Sequence, residues 1–396
     1  MKEPGGAGSW VRHHANRFGP ALAVYTTVKL SGFAFFMYLL HFSAEYRKKP
    51  VGTGGGARPW DVLSTWDGAY YLDIAANGYH PQVLGPGIEV VPNSSAFFPL
   101  YPGLMRGASE ITGLGVYGGG ILVSVLASLF AAAGIYAVVS LLSTPRAGVV
   151  AAGLWGLLPA SGVEWAVYTD SLFVALAAWA CYCVMTRQWI SAGVLALISG
   201  FSRPTAAAVI AAVGLAALVA LFRRRDGIAR PLTAMLIAPW GFIGYILWVG
   251  YKMNDLGGYF KIQRAWEHYF DGGAFMLKAI PEIMIGRYHY LWAWGIADIF
   301  SLLMLVALPV LLILFFRLRP PLVLIVFTLL TIASTVTSQQ IVSNVPRYLL
   351  PAFPLWIALA IPLSRLKWTS LAPIMLIMGV AAGWYGGFVT FQLGTP

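Results

Sequence analysis

From Pro20 to Phe42 the chain carries one charged side chain, Lys29, in an otherwise apolar run. As a helix, a run of about 20 residues spans roughly the 30 Å hydrocarbon core of a bilayer. Lipid offers no partner to an open backbone, so such a segment must close its hydrogen bonds within itself, which makes it a helix. The pattern recurs along the chain. Apolar runs near 20–42, 116–142, 149–165, 168–186, 188–202, 205–222, 232–251, 292–316, 321–338, 347–364 and 369–391, bounded by Pro, Gly and charged residues, give eleven expected spans. The expected fold class is an all-α polytopic membrane protein, with residues 1–396 forming one integral membrane domain. Composition agrees: 10% of the residues are charged, against roughly 25% in an ordinary soluble domain.

Charge in the short connections sets the expected orientation. Arg146, Arg187, the run Arg223, Arg224 and Arg225 with Arg230, the pair Arg317 and Arg319, and Arg365 with Lys367 all fall on one side, together with the arm 1–19. The positive-inside bias makes that side cytoplasmic. The arm is polar and glycine-rich and the run after it is too long for a signal-peptide core, so no cleaved leader is expected. Two long loops, 43–115 and 252–291, are then expected to be extracytoplasmic. The net charge of +11 follows mostly from topology and implies no nucleic acid partner. Lys29 is expected to snorkel toward the cytoplasmic headgroups. The short segments meeting at Arg203-Pro204 form either a tight external hairpin or one broken helix. Cys181 and Cys183 sit two apart in one apolar helix, a spacing that excludes a relaxed disulfide between them. No internal repeat and no inverted pair of interrupted helices is visible.

Soluble chemistry leaves no signature. The glycines of "GTGGGARP", Gly52 to Pro59, match neither a phosphate loop nor a dinucleotide pattern and read as a flexible linker. The six histidines lack metal-ligand spacing, and the acids at 61, 67, 73, 164 and 170 match no metal loop, so neither metal nor cofactor is expected. What remains is a set of charged residues near the external membrane face. In "STWDGAYYLDIAANGYHP", Asp67, Tyr71, Ile74 and Gly78 share one face of an expected interfacial helix. Asp67 either serves chemistry from that face or, three residues after Ser64, completes a capping box. Asp61 and Asp73 read as solvated. In "SSAFFPLYPGLM" the aromatic rings and prolines read as an interface anchor. Glu164 and Asp170 flank a short external turn; each is either a helix-terminal charge or an inward-facing functional acid. Arg203 and Arg347, each beside a proline at an external helix end, need a partner, and a guanidinium fork suits a phosphate or one of those acids.

Taken in order, Trp66-Asp67 with "YYLDIAANGY", then "AFFPLYP", "YTDSLF", "SRPTA" and "PRYLLPAFPL" resemble the phosphatidylinositol-glycan class V family, the second mannosyltransferases of GPI-anchor synthesis, and their bacterial relatives in the GT-C superfamily. The resemblance runs from the first external loop to the tenth span. It implies inverting transfer of a sugar, mannose by expectation, from a polyprenyl-phosphate donor to a glycolipid, glycan or protein acceptor outside the membrane. It also implies an acid of the first external loop near the chemistry, which falls on Asp67. On this reading Asp67 is the general base and Arg203 and Arg347 hold the donor phosphate. Trp66, Tyr70, Tyr71, Glu164 and Asp170 contact substrate. Another polyprenyl-phosphate sugar, or a lipid-linked sugar flippase, is the alternative.

Overall fold

A computed structural model describes residues 7–85, 88–224, 226–288 and 295–396, with residues 7–15 described by backbone alone. Arg225, the first six residues of the arm, small parts of both long loops and the start of the expected 292–316 span lie outside the described residues.

The chain is built from helices. α1 (Ala7–Ser43) leads into a 3₁₀ turn at Pro59–Ser64 and then α2 (Asp67–Asn77), the expected interfacial helix, followed by α3 (Leu100–Thr112). α4 (Gly115–Leu142) is long, and α5 (Pro145–Trp155) is short. After a 3₁₀ turn at Ser161–Trp165 come α6 (Asp170–Met185), α7 (Trp189–Ser199), α8 (Ala206–Arg223), α9 (Ala229–Ile237) and α10 (Trp240–Met253). The second long loop holds α11 (Gly258–Ala265), strand β1 (Tyr269–Phe270) and α12 (Ala274–Met284). α13 (Gly295–Arg317), α14 (Leu322–Val336), strand β2 (Ser338–Gln339), α15 (Val345–Tyr348), α16 (Pro354–Leu363) and α17 (Trp368–Ala382) follow, and α17 runs on as a π-helix, Gly383–Leu393. β1 pairs antiparallel with β2, Tyr269 opposite Gln339, so the second loop is tied to the end of α14.

Six of the described helical stretches are long and apolar enough to cross a membrane: Asn16–Ser43, Gly115–Leu142, Ala206–Arg223, Ala229–Met253, Gly295–Arg317 and Trp368–Leu393. Four shorter apolar helices, α6, α7, α14 and α16, fall on other expected spans. Three expected spans are interrupted: 232–251 divides at Ala238-Pro239 into α9 and α10, and two others break further. The run 149–165 is helical only to Trp155, because Gly156, Pro159 and Gly162 interrupt it, and it finishes as a 3₁₀ turn. The run 347–364 splits into α15 and α16, since Pro351 and Pro354 bring no amide to a continuous ladder. At Arg203-Pro204 the hairpin is the form adopted: Ser202 N donates to Ser199 O and Ala206 N to Arg203 O, and α7 lies against α8.

Glycine lets the core close around the C-terminal helix. A Cβ on Gly162 would overlap the Gly386 carbonyl, one on Gly383 the Gly32 carbonyl, and one on Gly387 the Phe36 ring. Small residues that let backbones touch are the usual means of helix association in lipid, where no hydrophobic force separates helix from solvent. Gly52–Pro59 is likewise not a linker. Gly52 O accepts from Trp66 N at 2.6 Å and Gly54 O from the Gln392 amide at 2.7 Å. The positive φ of Gly52 and Gly54, 91° and 89°, is what bends the chain into those contacts.

Candidate active site

Asp67 is set by its own turn. Gly68 N donates to Thr65 O at 3.1 Å, so residues 65–68 form a tight turn, with Trp66 at its first central position at φ 58°, ψ −121°. That region is normally left to glycine, and a bulky residue held in it costs on the order of 1–3 kcal/mol. The turn is pinned from outside by Trp66 N to Gly52 O, and by the Tyr168 hydroxyl, which donates to Thr65 O at 2.8 Å. There is no capping box: Ser64 Oγ donates to Asp61 O instead, and Trp66 caps α2 without a side-chain bond. Asp67 points elsewhere.

Its Oδ2 lies 2.7 Å from Nη2 of Arg347. The same nitrogen lies 3.1 Å from Oδ2 of Asp170, which also accepts from Arg347 Nε at 3.3 Å. The other oxygen of Asp170 accepts from Arg203 Nη1 at 2.6 Å. Two arginines and two carboxylates from α2, α6, the α7–α8 hairpin and α15 thus form one chain of ion pairs, Asp67–Arg347–Asp170–Arg203. Arg347 further donates to the Pro396 carbonyl at 2.8 Å and lies over the Tyr168 ring at 4.6 Å. The cluster is graded in depth: the Asp170 side chain is 0% exposed and that of Arg347 6%, whereas Asp67 is 34% exposed. Asp170 compensates two guanidinium charges out of water, and Asp67 presents the accessible carboxylate.

An aromatic wall adjoins it. Tyr70 stacks on Phe97 with centroids 4.9 Å apart and meets the edge of Trp266 at 5.2 Å. Phe97 belongs to "AFFPLYP", so that segment contributes to the wall as well as entering α3. Tyr71 is buried edge-on between Phe97 and Tyr101, which leaves Tyr70 as the more exposed of the two tyrosines. Burial, with the charge of Asp67 added, raises the phenol of each tyrosine above its ordinary range, so both stay neutral. The indole nitrogen of Trp66 is buried with no hydrogen-bond partner among the described residues. His268, which sequence reasoning passed over, closes the cluster from the second loop. Its ring meets Tyr348 edge-on at 6.5 Å, and burial lowers its pKa below the ordinary 6.5, with Asp67 opposing that shift and Arg347 adding to it.

Glu164 stands apart. Its Oε2 accepts from the Tyr25 hydroxyl at 2.7 Å and pairs with Lys29 Nζ at 3.3 Å. Lys29 does not snorkel: it is 6% exposed and also donates to the Ser161 carbonyl. A buried carboxylate and carbonyl together replace the water that the ammonium would otherwise have to reach. Asp73 is exposed and bonded to Asn77, while Asp61 accepts from Arg58 N and caps its own 3₁₀ turn. Among the described residues no group of three or more His, Cys, Asp or Glu side chains is gathered for a metal ion. His268 and the C-terminal Gln392–Pro396 lie outside the sequence motifs, and Tyr168, the first residue of "YTDSLF", has no role assigned by them; each joins the site through contacts with segments remote in the chain.

No family model matches the chain, and no curated protein matches it. Solved structures do. The chain is similar to ArnT from Cupriavidus metallidurans bound to undecaprenyl phosphate, with a TM-score of 0.52 at 15% identity, over 97% of this chain and 65% of that one. Against the apo state of the same protein the TM-score is 0.50 at 15% identity, over 87% and 62%. The chain therefore spans about two thirds of the length of the ArnT chain. At this identity the likeness is one of fold, and it establishes the all-α polytopic membrane class.

Proposed function

We propose that the chain is an inverting glycosyltransferase of GT-C architecture that takes a sugar from a polyprenyl-phosphate donor and passes it to an acceptor on the extracytoplasmic side. Mannose is the sugar the resemblance to the class V family implies. One observation carries the reading: a partly exposed Asp67 is joined to a buried Asp170 through Arg347, with Arg203 behind. The ArnT fold, seen in a structure with undecaprenyl phosphate bound, supports the donor class.

In this reaction the acceptor hydroxyl oxygen bonds to the anomeric carbon as the carbon–oxygen bond to phosphate breaks on the opposite face. The electron pair leaves with the phosphate, whose charge rises from one negative to two, while the hydroxyl proton passes to Asp67 and removes one negative charge there. Total charge in the site is unchanged through the step, which matters where charge is poorly solvated. Arg347 and Arg203 stabilise the charge gathering on the leaving phosphate. A retaining route needs a second carboxylate as nucleophile, and Asp170, fully buried and clamped by both arginines, is not free to serve. Tyr70, 36% exposed beside Asp67, is the ring placed to contact sugar or acceptor.

The test supplies purified protein in lipid with radiolabelled polyprenyl-phosphate mannose and a cell-envelope extract. Label should reach an envelope acceptor, and Asp67→Asn should slow transfer by about 10²- to 10⁴-fold. A normal rate for Asp67→Asn removes it as base; transfer from another polyprenyl-phosphate sugar alone corrects the sugar and leaves the reaction standing.

A further inference from the structure

At the far end of the bundle from Asp67, the ends of α6, α8 and α14 enclose a groove of about 210 Å³. α6 begins at Asp170 in the ion-pair cluster and ends 15 residues later at Met185 in the groove wall, about 22 Å away along its axis. That distance approaches the thickness of the hydrocarbon core, roughly 30 Å, so the groove lies at the opposite headgroup level. Its walls are apolar: Val184, Met185, Val219, Ala220, Leu322 and Val323. Its rim is charged. Asp226 is engaged, accepting from Arg187 Nη1 and from the Trp189 indole, both at 3.1 Å. Arg223 lines the same groove, is exposed, and has no partner among the described residues. Arg224 next to it is exposed as well, and Arg317 and Arg319 are exposed just before Pro321, which closes the groove. Phe222, Ile190 and Ile228, 81%, 52% and 60% exposed, surround the rim with apolar surface of the kind that faces acyl chains.

We propose that this groove binds one anionic phospholipid, its phosphate on the Arg223 guanidinium and the upper part of an acyl chain along the α8 and α14 walls. The two parts of the site, a free fork of donors and an apolar slot beside it at headgroup level, match the two parts of that molecule. A guanidinium prefers phosphate because it offers paired donors in one plane, and the excess of basic over acidic groups around the rim selects against a zwitterionic head. A free phosphate ion would leave the slot empty.

Native mass spectrometry of the full chain released from phosphatidylcholine nanodiscs, with and without phosphatidylglycerol, tests this, with the thermal unfolding midpoint as a second readout. One phosphatidylglycerol should stay bound and raise the midpoint, and Arg223→Ala should weaken its retention roughly five- to tenfold. Val219→Trp, which fills the slot and keeps every charge, should weaken retention as well. Arg106→Ala, at the end of a pair with Glu110 on the other side of the bundle, should leave it unchanged. Equal retention of phosphatidylcholine and phosphatidylglycerol, or full retention by both groove variants, overturns the proposal. An equal rise in midpoint with inorganic phosphate alone would make the site one for a free anion and overturn the lipid.

Discussion

Asp67 and Asp170 share a guanidinium and differ in what their removal should do. Asp170→Asn leaves two arginines in a dry site with one carboxylate fewer, a loss expected to cost about 3–5 kcal/mol. Asp67→Asn removes a partly solvated partner from an arginine that Asp170 still holds, and about 1 kcal/mol or less should follow. Thermal unfolding of the two variants in one detergent checks the order; equal losses would mean that Asp67 is as structural as Asp170. His268 gives a pH dependence. Since burial lowers its pKa, the folded chain binds fewer protons than the unfolded one between that value and 6.5. The sign follows: His268 contributes its full stability above pH 6.5 and loses it as pH falls through the folded value. The unfolding midpoint should drop as pH falls below about 6.5, and drop less in His268→Gln.

At the scale of elements, each segment of the site is held by something outside itself. The Trp66 turn keeps a glycine-like conformation because Gly52 and Tyr168 pin it, and α15 is short because Pro351 and Pro354 stop the helix one turn after Arg347. The π-helix Gly383–Leu393 packs where glycines replace side chains, so Gly162→Val should push a methyl-bearing carbon into the Gly386 carbonyl. Backbone cannot yield as a side-chain tip can, and about 1–3 kcal/mol or more should be lost. A Cβ on Gly103, in α3, would meet nothing within 4 Å, so Gly103→Ala should stabilise by about 0.5–1 kcal/mol. Paired melting curves separate the two, and a loss at both positions would remove the packing argument.

At the scale of the whole molecule, the expectation from the sequence that transfer needs no metal is checked by exhaustive chelation, after which the rate should be unchanged. A loss restored by one divalent cation would overturn that expectation. The lipid site proposed for the far groove has its own readout, independent of transfer.

The sequence by itself determined the class, because the demand a bilayer makes on a backbone is local: each long apolar run must satisfy its own hydrogen bonds, whatever its neighbours do. It also exposed Asp67 and Asp170 as candidate functional acids, and Arg203 and Arg347 as arginines that needed a partner. Which partner each took was not local. Asp170 and Arg347 are 177 residues apart in the chain, and Glu164, six residues before Asp170, turned instead to Lys29 and Tyr25. Only the packing of helices decided those pairings, since a charge out of water takes the opposite charge that the fold brings within a few ångströms, and neither spacing nor composition encodes that distance.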